Sequence, residues 1–327
     1  MTRINSVLFA ILILIAATAL MSGPSGFSPM LLSDWIAGRD AAAAMIILDI
    51  RLPRVLAAAI VGAALGLCGA ALQALTRNPL AEPGVLGVSA AATLGATLTL
   101  YFGLAAAWAW ALPIGAVLAA VLATALLASA AVRTQGMATL ILIGVGLSSL
   151  SGALMALILN FAPNPFSLSD LVNWTLGSVA NRSLADLAFS VPLILIGALL
   201  LLGQRANLSL LSIGEAAATA HGLDARRSRI AVIVGTGLVT GAAVALAGSV
   251  GFVGIVAPHL VRPWVGHDPG RTLFPAAWLG AILLVLADLF VRLLPTEDEL
   301  RLGVVAALAG APIFVAIVLQ RGRIRRG

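Results

Sequence analysis

Apolar stretches about as long as a membrane-crossing helix follow one another along almost the whole chain, separated by short polar segments rich in Gly, Pro and Arg. A helix needs about 20 apolar residues to cross the hydrocarbon core, and reading the runs against their breakers gives ten candidate spans. Five lie in the first half, at 7–21, 55–75, 85–104, 108–132 and 137–161. Five lie in the second, at 187–202, 230–250, a broken 252–265, 273–294 and 302–319. The pattern predicts an all-α polytopic membrane protein of about ten transmembrane helices, forming a single transmembrane domain over 1–327.

Two stretches share a layout. Residues 61–87 form a small-residue helix that runs into a Pro-containing bend, and 235–258 form another. Ten spans give these units opposite directions, which predicts an inverted internal repeat. Small residues recur every fourth position, at Gly62, Gly66 and Ala70 and at Gly237, Gly241 and Ala245. Such faces let helix backbones approach closely, and ordinary packing suffices to explain them. The run 7–21 follows Arg3 and could be a secretory signal, but the later spans need a first anchor, so it is read as the first helix.

Composition supports the membrane reading: 61% of the 327 residues are hydrophobic and only 10% charged, where a soluble domain keeps about a quarter charged. All nineteen basic side chains are arginine. With no lysine there is no Walker A loop, so any ATP must be bound by another chain. The arginines are scattered between apolar runs and form no stripe, which argues against nucleic acid and for orientation signals. An even number of spans puts both termini on one side, and thirteen of the nineteen arginines fall there. The other six are Arg39, Arg51, Arg54, Arg182, Arg292 and Arg301, diluted by Asp34, Asp40, Asp49, Asp170, Asp186, Glu297, Asp298 and Glu299. This asymmetry predicts cytoplasmic termini.

Candidate chemistry is sparse. Cys68 sits alone in a Gly-rich apolar run and reads as packing. His221, His259 and His267 are dispersed, so no metal site and no cofactor is expected. Ser148, Ser149 and Ser151 have no base nearby in sequence, which leaves no catalytic site. Asp288, in the ninth span, is a functional candidate by default. It serves either as a helix-to-helix hydrogen-bonding group or as the proton site of a secondary transporter.

Three polar segments interrupt the apolar pattern. In Arg51-Leu52-Pro53-Arg54 the proline suits a first helical turn, and the flanking arginines fit interface anchors or a docking site equally well. Arg77 to Gly84 is a polar turn in which Asn78 and Glu82 could cap the start of the next helix. The stretch 208–229 holds Gly214, Glu215, Ala216 and Ala217, then Gly222 and Leu223. It reads as a short helix stopped by glycine, either packed on the bundle or inserted into a groove on a partner.

These segments resemble the FecCD-type permeases of ABC importers for iron siderophores, haem and vitamin B12. The resemblance rests on Arg51-Leu52-Pro53-Arg54, Gln73 with 77–87, Trp174-Thr175-Leu176-Gly177-Ser178, Gly251-Phe252-Val253-Gly254 with Pro258-His259, and Gly310-Ala311-Pro312 with Phe314. Their order and spacing cover nearly the whole chain. The resemblance implies a permease in a bacterial inner membrane, in contact with lipid and without its own ATPase site. It also implies a second permease subunit, self or paralogue, two ABC ATPase subunits, and a periplasmic or lipid-anchored substrate-binding protein. Carried over by residue, Arg51, Arg54 and Arg292 fall where family arginines receive acidic residues of the binding protein, and Gly214 to Leu223 fall at the ATPase-coupling helices. Gly136, Met137, Ala138 and Thr139 fall at the loop narrowing the inner exit, and Trp174, Gly177 and Ser178 near the outer mouth. The chain departs from the family pattern at Glu299-Leu300-Arg301, where relatives usually carry Glu-Leu-Pro.

Overall fold

The computed structural model describes residues 2–23, 26–134, 137–294 and 299–324. Its first half contains α1 (Thr2–Met21), α2 (Pro29–Ile36), α3 (Ala41–Met45), α4 (Leu52–Thr76), α5 (Val88–Tyr101), α6 (Leu104–Ala107), α7 (Ala111–Arg133) and α8 (Met137–Asn160). The second half contains α9 (Pro165–Thr175), α10 (Leu184–Gly203), α11 (Arg205–Leu211), α12 (Glu215–Ala220), α13 (Ala225–Ala247), α14 (Val253–Val261), α15 (Pro269–Leu293) and α16 (Leu302–Ile324). A π-helical turn, Ile46–Arg51, leads into α4, and a 3-10 turn, Arg262–Val265, follows α14.

Polar side chains punctuate these helices where the sequence supplies them. Asn164, Asp224 and Asp268 each accept a hydrogen bond from an amide in the first turn of α9, α13 and α15. Ser183 and Asp186 form a reciprocal capping box on α10. Proline occupies the first turn of α2, α9 and α15, where its missing N–H costs nothing, whereas Pro53 follows directly on the π-helical turn within the continuous run Ala41–Thr76.

Each of the ten apolar stretches is helical. Among the described residues, seven helices are long and apolar enough to cross a membrane: α1, the run Ala41–Thr76, α7, α8, α10, α13 and α15. α16 spans Leu302–Ile324, whereas α5 has 14 residues and α14 only nine. The last two are short because the bends before them run inside the protein. Ser148, midway along α8, donates to Gly84 O at 3.0 Å, so the bend 77–87 reaches the middle of the bundle and α5 starts there. Irregular backbone at such depth is tolerated when protein, not lipid, surrounds it.

The central helices are α4 and α13, each with 78% of its most apolar stretch buried, against 11% for α8. The small-residue stripe of α4 lies on α15, where Gly62 faces Gly280 and Gly66 faces Ala276. That of α13 lies on α7, where Gly237 meets Thr124 and Gly241 meets Ala120. Cys68 is fully buried between α4 and α13, near Thr236 and Thr240, in the packing role expected of it. The tightest approach is at Gly69, where a Cβ would stand 1.8 Å from Gly254 O.

Candidate functional site

At one end of the bundle the C-terminus of α1, the start of α4 and the last turn of α15 converge on Asp288. Arg54 Nε donates to Asp288 Oδ1 at 2.9 Å, and Arg292 Nη2 stands 3.0 Å from Asp288 Oδ2. The second approach lies off the N–H axis, so it is an ion pair without a hydrogen bond. Arg54 also grips Glu299 through both terminal nitrogens. Arg292 Nη1 donates to Ala19 O at 3.0 Å, and Arg51 Nη1 to Leu20 O at 2.8 Å. Both therefore satisfy carbonyls that α1 leaves open at its C-terminus.

The structure brings the three arginines together, and Arg51 and Arg292 are each 8% exposed. Both turn inward because α1 ends beside them and offers its last carbonyls, with Asp288 as a further partner of Arg292. Arg54 keeps a path to the surface through Glu299, which is partly exposed. Asp288, 1% exposed and held between two guanidiniums, matches the helix-to-helix role considered for it.

The two irregular connectors meet inside the bundle; the second is bent at Gly248 and Phe252, and Pro258, expected in the bend, lies inside α14. Asn78 caps locally, accepting from Leu80 N. Glu82 does not cap the next helix, as its position suggested. Its Oε2 accepts from Phe252 N at 3.1 Å and so holds the start of α14. Phe252 has φ of +66°, which a non-glycine residue adopts only when its surroundings hold it there. Gln73 Nε2 donates to Gly254 O at 3.1 Å one turn away, and Arg262 Nη2 reaches Gln73 Oε1.

Beside Phe252 lies an apolar cavity of about 1090 Å³ between the end of α9, the bend 249–252 and α16. Thr175, Leu176, Ser249, Phe252, Leu308 and Pro312 are among its walls. Of the outer-mouth candidates, Trp174, Gly177 and Ser178 stand next to the wall and position it. Ser178 N donates to Ala247 O at 2.8 Å, Gly303 N donates to Gly177 O, and Trp174 carries Arg182 over its ring at 5.1 Å.

At the opposite end, α12 is bounded by two glycines in conformations that L side chains rarely adopt, Gly214 at φ +110° and Gly222 at φ +85°. Leu223 N bonds to Ala218 O and Gly222 N to Thr219 O, the paired closure that stops a helix at a left-handed glycine. Glu215, Ala216 and Ile213 are exposed, Gly214 and Ala217 are half-buried, and Leu223 turns inward. Of the inner-exit candidates, Gly136 lies outside the described residues, Met137 is half-buried, and Ala138 and Thr139 are exposed.

Sequence reasoning missed Arg229, which is buried and bonds to both Glu215 and the Thr134 carbonyl. In sequence it is only one of the thirteen arginines on the side of the termini. Helical phase could have separated it, because Arg229 lies three and four residues before the buried Val232 and Ile233 of α13.

Comparison with known proteins adds four findings. Residues 8–320 match the model of the FecCD transport family. The uncharacterized ABC transporter permease protein YvrB of Bacillus subtilis is 40% identical over 85% of this chain and 80% of its own length. The vitamin B12 import system permease protein BtuC of Citrobacter koseri is 37% identical over 97% of this chain and 94% of its own. A solved structure described as an inward-facing metal-chelate type ABC transporter superposes with a TM-score of 0.89, at 32% identity, over 98% of this chain and all of that one.

Proposed function

The chain belongs to the FecCD transport family of ABC importer permeases, and we propose that its cargo is an iron chelate (siderophore), haem or corrinoid carried across the inner membrane. The observation that carries this reading is the cavity of about 1090 Å³ beside Phe252, walled almost wholly by apolar side chains. The depression is wide and open on one side, so it suits a bulky cargo that passes with few specific contacts once a second subunit covers it. The relatives named for vitamin B12 import and metal-chelate transport support the same class. A second permease subunit, self or paralogue, closes the cavity into a central path.

The inner end is the one that carries α12, with both termini on that side. The arginine asymmetry supports this orientation. Burial of Arg51 and Arg292 and the stacking of Arg182 on Trp174 reduce the free positive charge at the other end further. ATPase subunits, which supply the nucleotide site this lysine-free chain lacks, engage α12 and its flanks, Gly214 to Leu223. A substrate-binding protein docks at the Arg51, Arg54 and Arg292 cluster, with Arg54 as the accessible contact and the other two fixing Asp288 and α1.

The test is ATP-dependent uptake in proteoliposomes containing the permease, its ATPase and its binding protein, with labelled ferric siderophore, haem and cobalamin offered separately. Accumulation of one of them that stops on removing ATP supports the reading. Failure to move all three, with ATP hydrolysis intact, refutes the cargo class.

A further inference from the structure

We propose that Arg229 is a positioning residue that carries movement of α12 to the start of α8. The inference rests on the coupling reading of α12 given above. It names the part that would transmit the motion.

The geometry is that of one planar guanidinium bridging two elements. Arg229 Nη2 stands 2.8 Å from Glu215 Oε1, on the first residue of α12. Its Nη1 donates to the Thr134 carbonyl at 3.1 Å, at the C-terminus of α7. Thr134 is three residues before Met137, the first residue of α8. The Arg229 side chain is only 6% exposed, while that of Glu215 is 46% exposed, so the guanidinium is the poorly hydrated side of the pair.

Arginine holds its donors in a rigid fork. When Glu215 moves, the fork must either rotate and draw Thr134 with it or leave a buried guanidinium without its charge-assisted hydrogen bond. The backbone of Arg229 lies in the second turn of α13, just before the buried Val232 and Ile233 that hold this helix in the bundle. A small void of about 40 Å³ adjoins the fork, lined by Met137, Arg77, Glu215 and Arg229, and so places the first residue of α8 beside it. A cation near the start of a helix gains nothing from the helix dipole, so these two contacts are what the position offers an arginine.

The experiment uses the permease assembled with its ATPase subunits in proteoliposomes, spin-labelled at Ala217→Cys or at Thr139→Cys, with spectra compared before and after trapping with ATP and vanadate. In the otherwise native chain both labels are expected to change. In Arg229→Gln the Ala217 label still changes, while the Thr139 label loses most of its response. Arg229→Lys keeps a point charge for Glu215 but no fork, so it too leaves Thr139 unresponsive, and it decides the matter if the glutamine variant does not assemble. A full Thr139 response in an assembled variant overturns the role of Arg229. A silent Ala217 label in the native background overturns the coupling reading instead, so the two failures are distinguishable.

Discussion

Glu82, in the bend after α4, accepts a 3.1 Å hydrogen bond from the backbone amide of Phe252, in the bend after α13. The pair joins the two irregular connectors of the bundle and sets the wall of the cavity at Phe252. A buried hydrogen bond to a charged group is worth about 1.5–3 kcal/mol. Glu82→Ala should therefore lower the thermal unfolding midpoint in detergent, while Glu82→Gln, which keeps an acceptor oxygen, should recover most of the loss. Equal midpoints for Glu82→Ala and the native protein would show that the bond contributes nothing.

Gly69 offers a sharper steric test. A methyl group there would stand 1.8 Å from Gly254 O, a backbone atom that cannot swing aside. Gly69→Ala should force α14 away from α4 and destabilise the protein by about 1–3 kcal/mol, as overpacking does elsewhere. Gly146→Ala is the control, since nothing lies within 4 Å of its added carbon. If the two variants unfold at the same temperature, the α4 and α14 contact is not as close as described.

Asp288 tests the ionic cluster and the transport class together. Removing it leaves the buried Arg292 without an acidic partner, while Arg54 keeps Glu299, and stranding a buried charge costs about 3–5 kcal/mol. Asp288→Ala should be strongly destabilised, and adding Arg292→Met should restore part of the loss. In energised vesicles, uptake by the native permease should stop when ATP is depleted and continue when the proton gradient is collapsed. The reverse pattern would return Asp288 to the role of a proton site.

The span pattern, the small-residue stripes and the buried cysteine were legible in sequence because each depends on local periodicity or on the balance of apolar and polar residues. The stop at Gly222 was legible for a similar reason: glycine after a short alanine-rich run has one common structural use. The partners of the polar residues were not. Glu82 meets Phe252 across 170 positions, and Arg54 meets Asp288 across 234. Such pairs are set by which helices cross, and no local spacing encodes that. Burial of Arg51 and Arg292 was hidden similarly, since it depends on where α1 ends. Arg229 carried a weak local signal in its helical phase, masked by its basic neighbours.

The coupling assignment predicts a loss of efficiency without a loss of hydrolysis. At Gly222, φ of +85° costs a side-chain-bearing residue about 1–2 kcal/mol, and nothing within 4 Å would clash with an added carbon. Any effect of Gly222→Val therefore acts through backbone conformation, by unmaking the closure at Leu223. Both Gly222→Val and Glu215→Arg should hydrolyse ATP in the assembled complex while moving less cargo per ATP. An unchanged ratio of transport to hydrolysis in both variants would falsify the assignment of α12.

The docking prediction must respect the buried cluster. Reversing Arg51 or Arg292 would strand carbonyls of α1 and Asp288, so the informative substitution is at Arg54, whose guanidinium reaches Glu299 at the surface. An acidic group on the binding protein would compete with Glu299 for that guanidinium. Opposite charges of this kind raise the association rate and make it sensitive to salt. Arg54→Gln should slow association and flatten its salt dependence, and Arg54→Glu should weaken binding further, by about tenfold or more, the equivalent of about 1.4 kcal/mol. Glu299→Gln should act in the opposite direction, because it frees Arg54 for the partner. Surface plasmon resonance on nanodisc-held permease at several salt concentrations separates these effects, and insertion is checked independently by the unfolding midpoint. A basic replacement of the partner's acidic residue should partly restore binding to Arg54→Glu. If properly folded Arg54→Glu binds with native affinity and native salt dependence, Arg54 serves only to hold Asp288 and Glu299 in place.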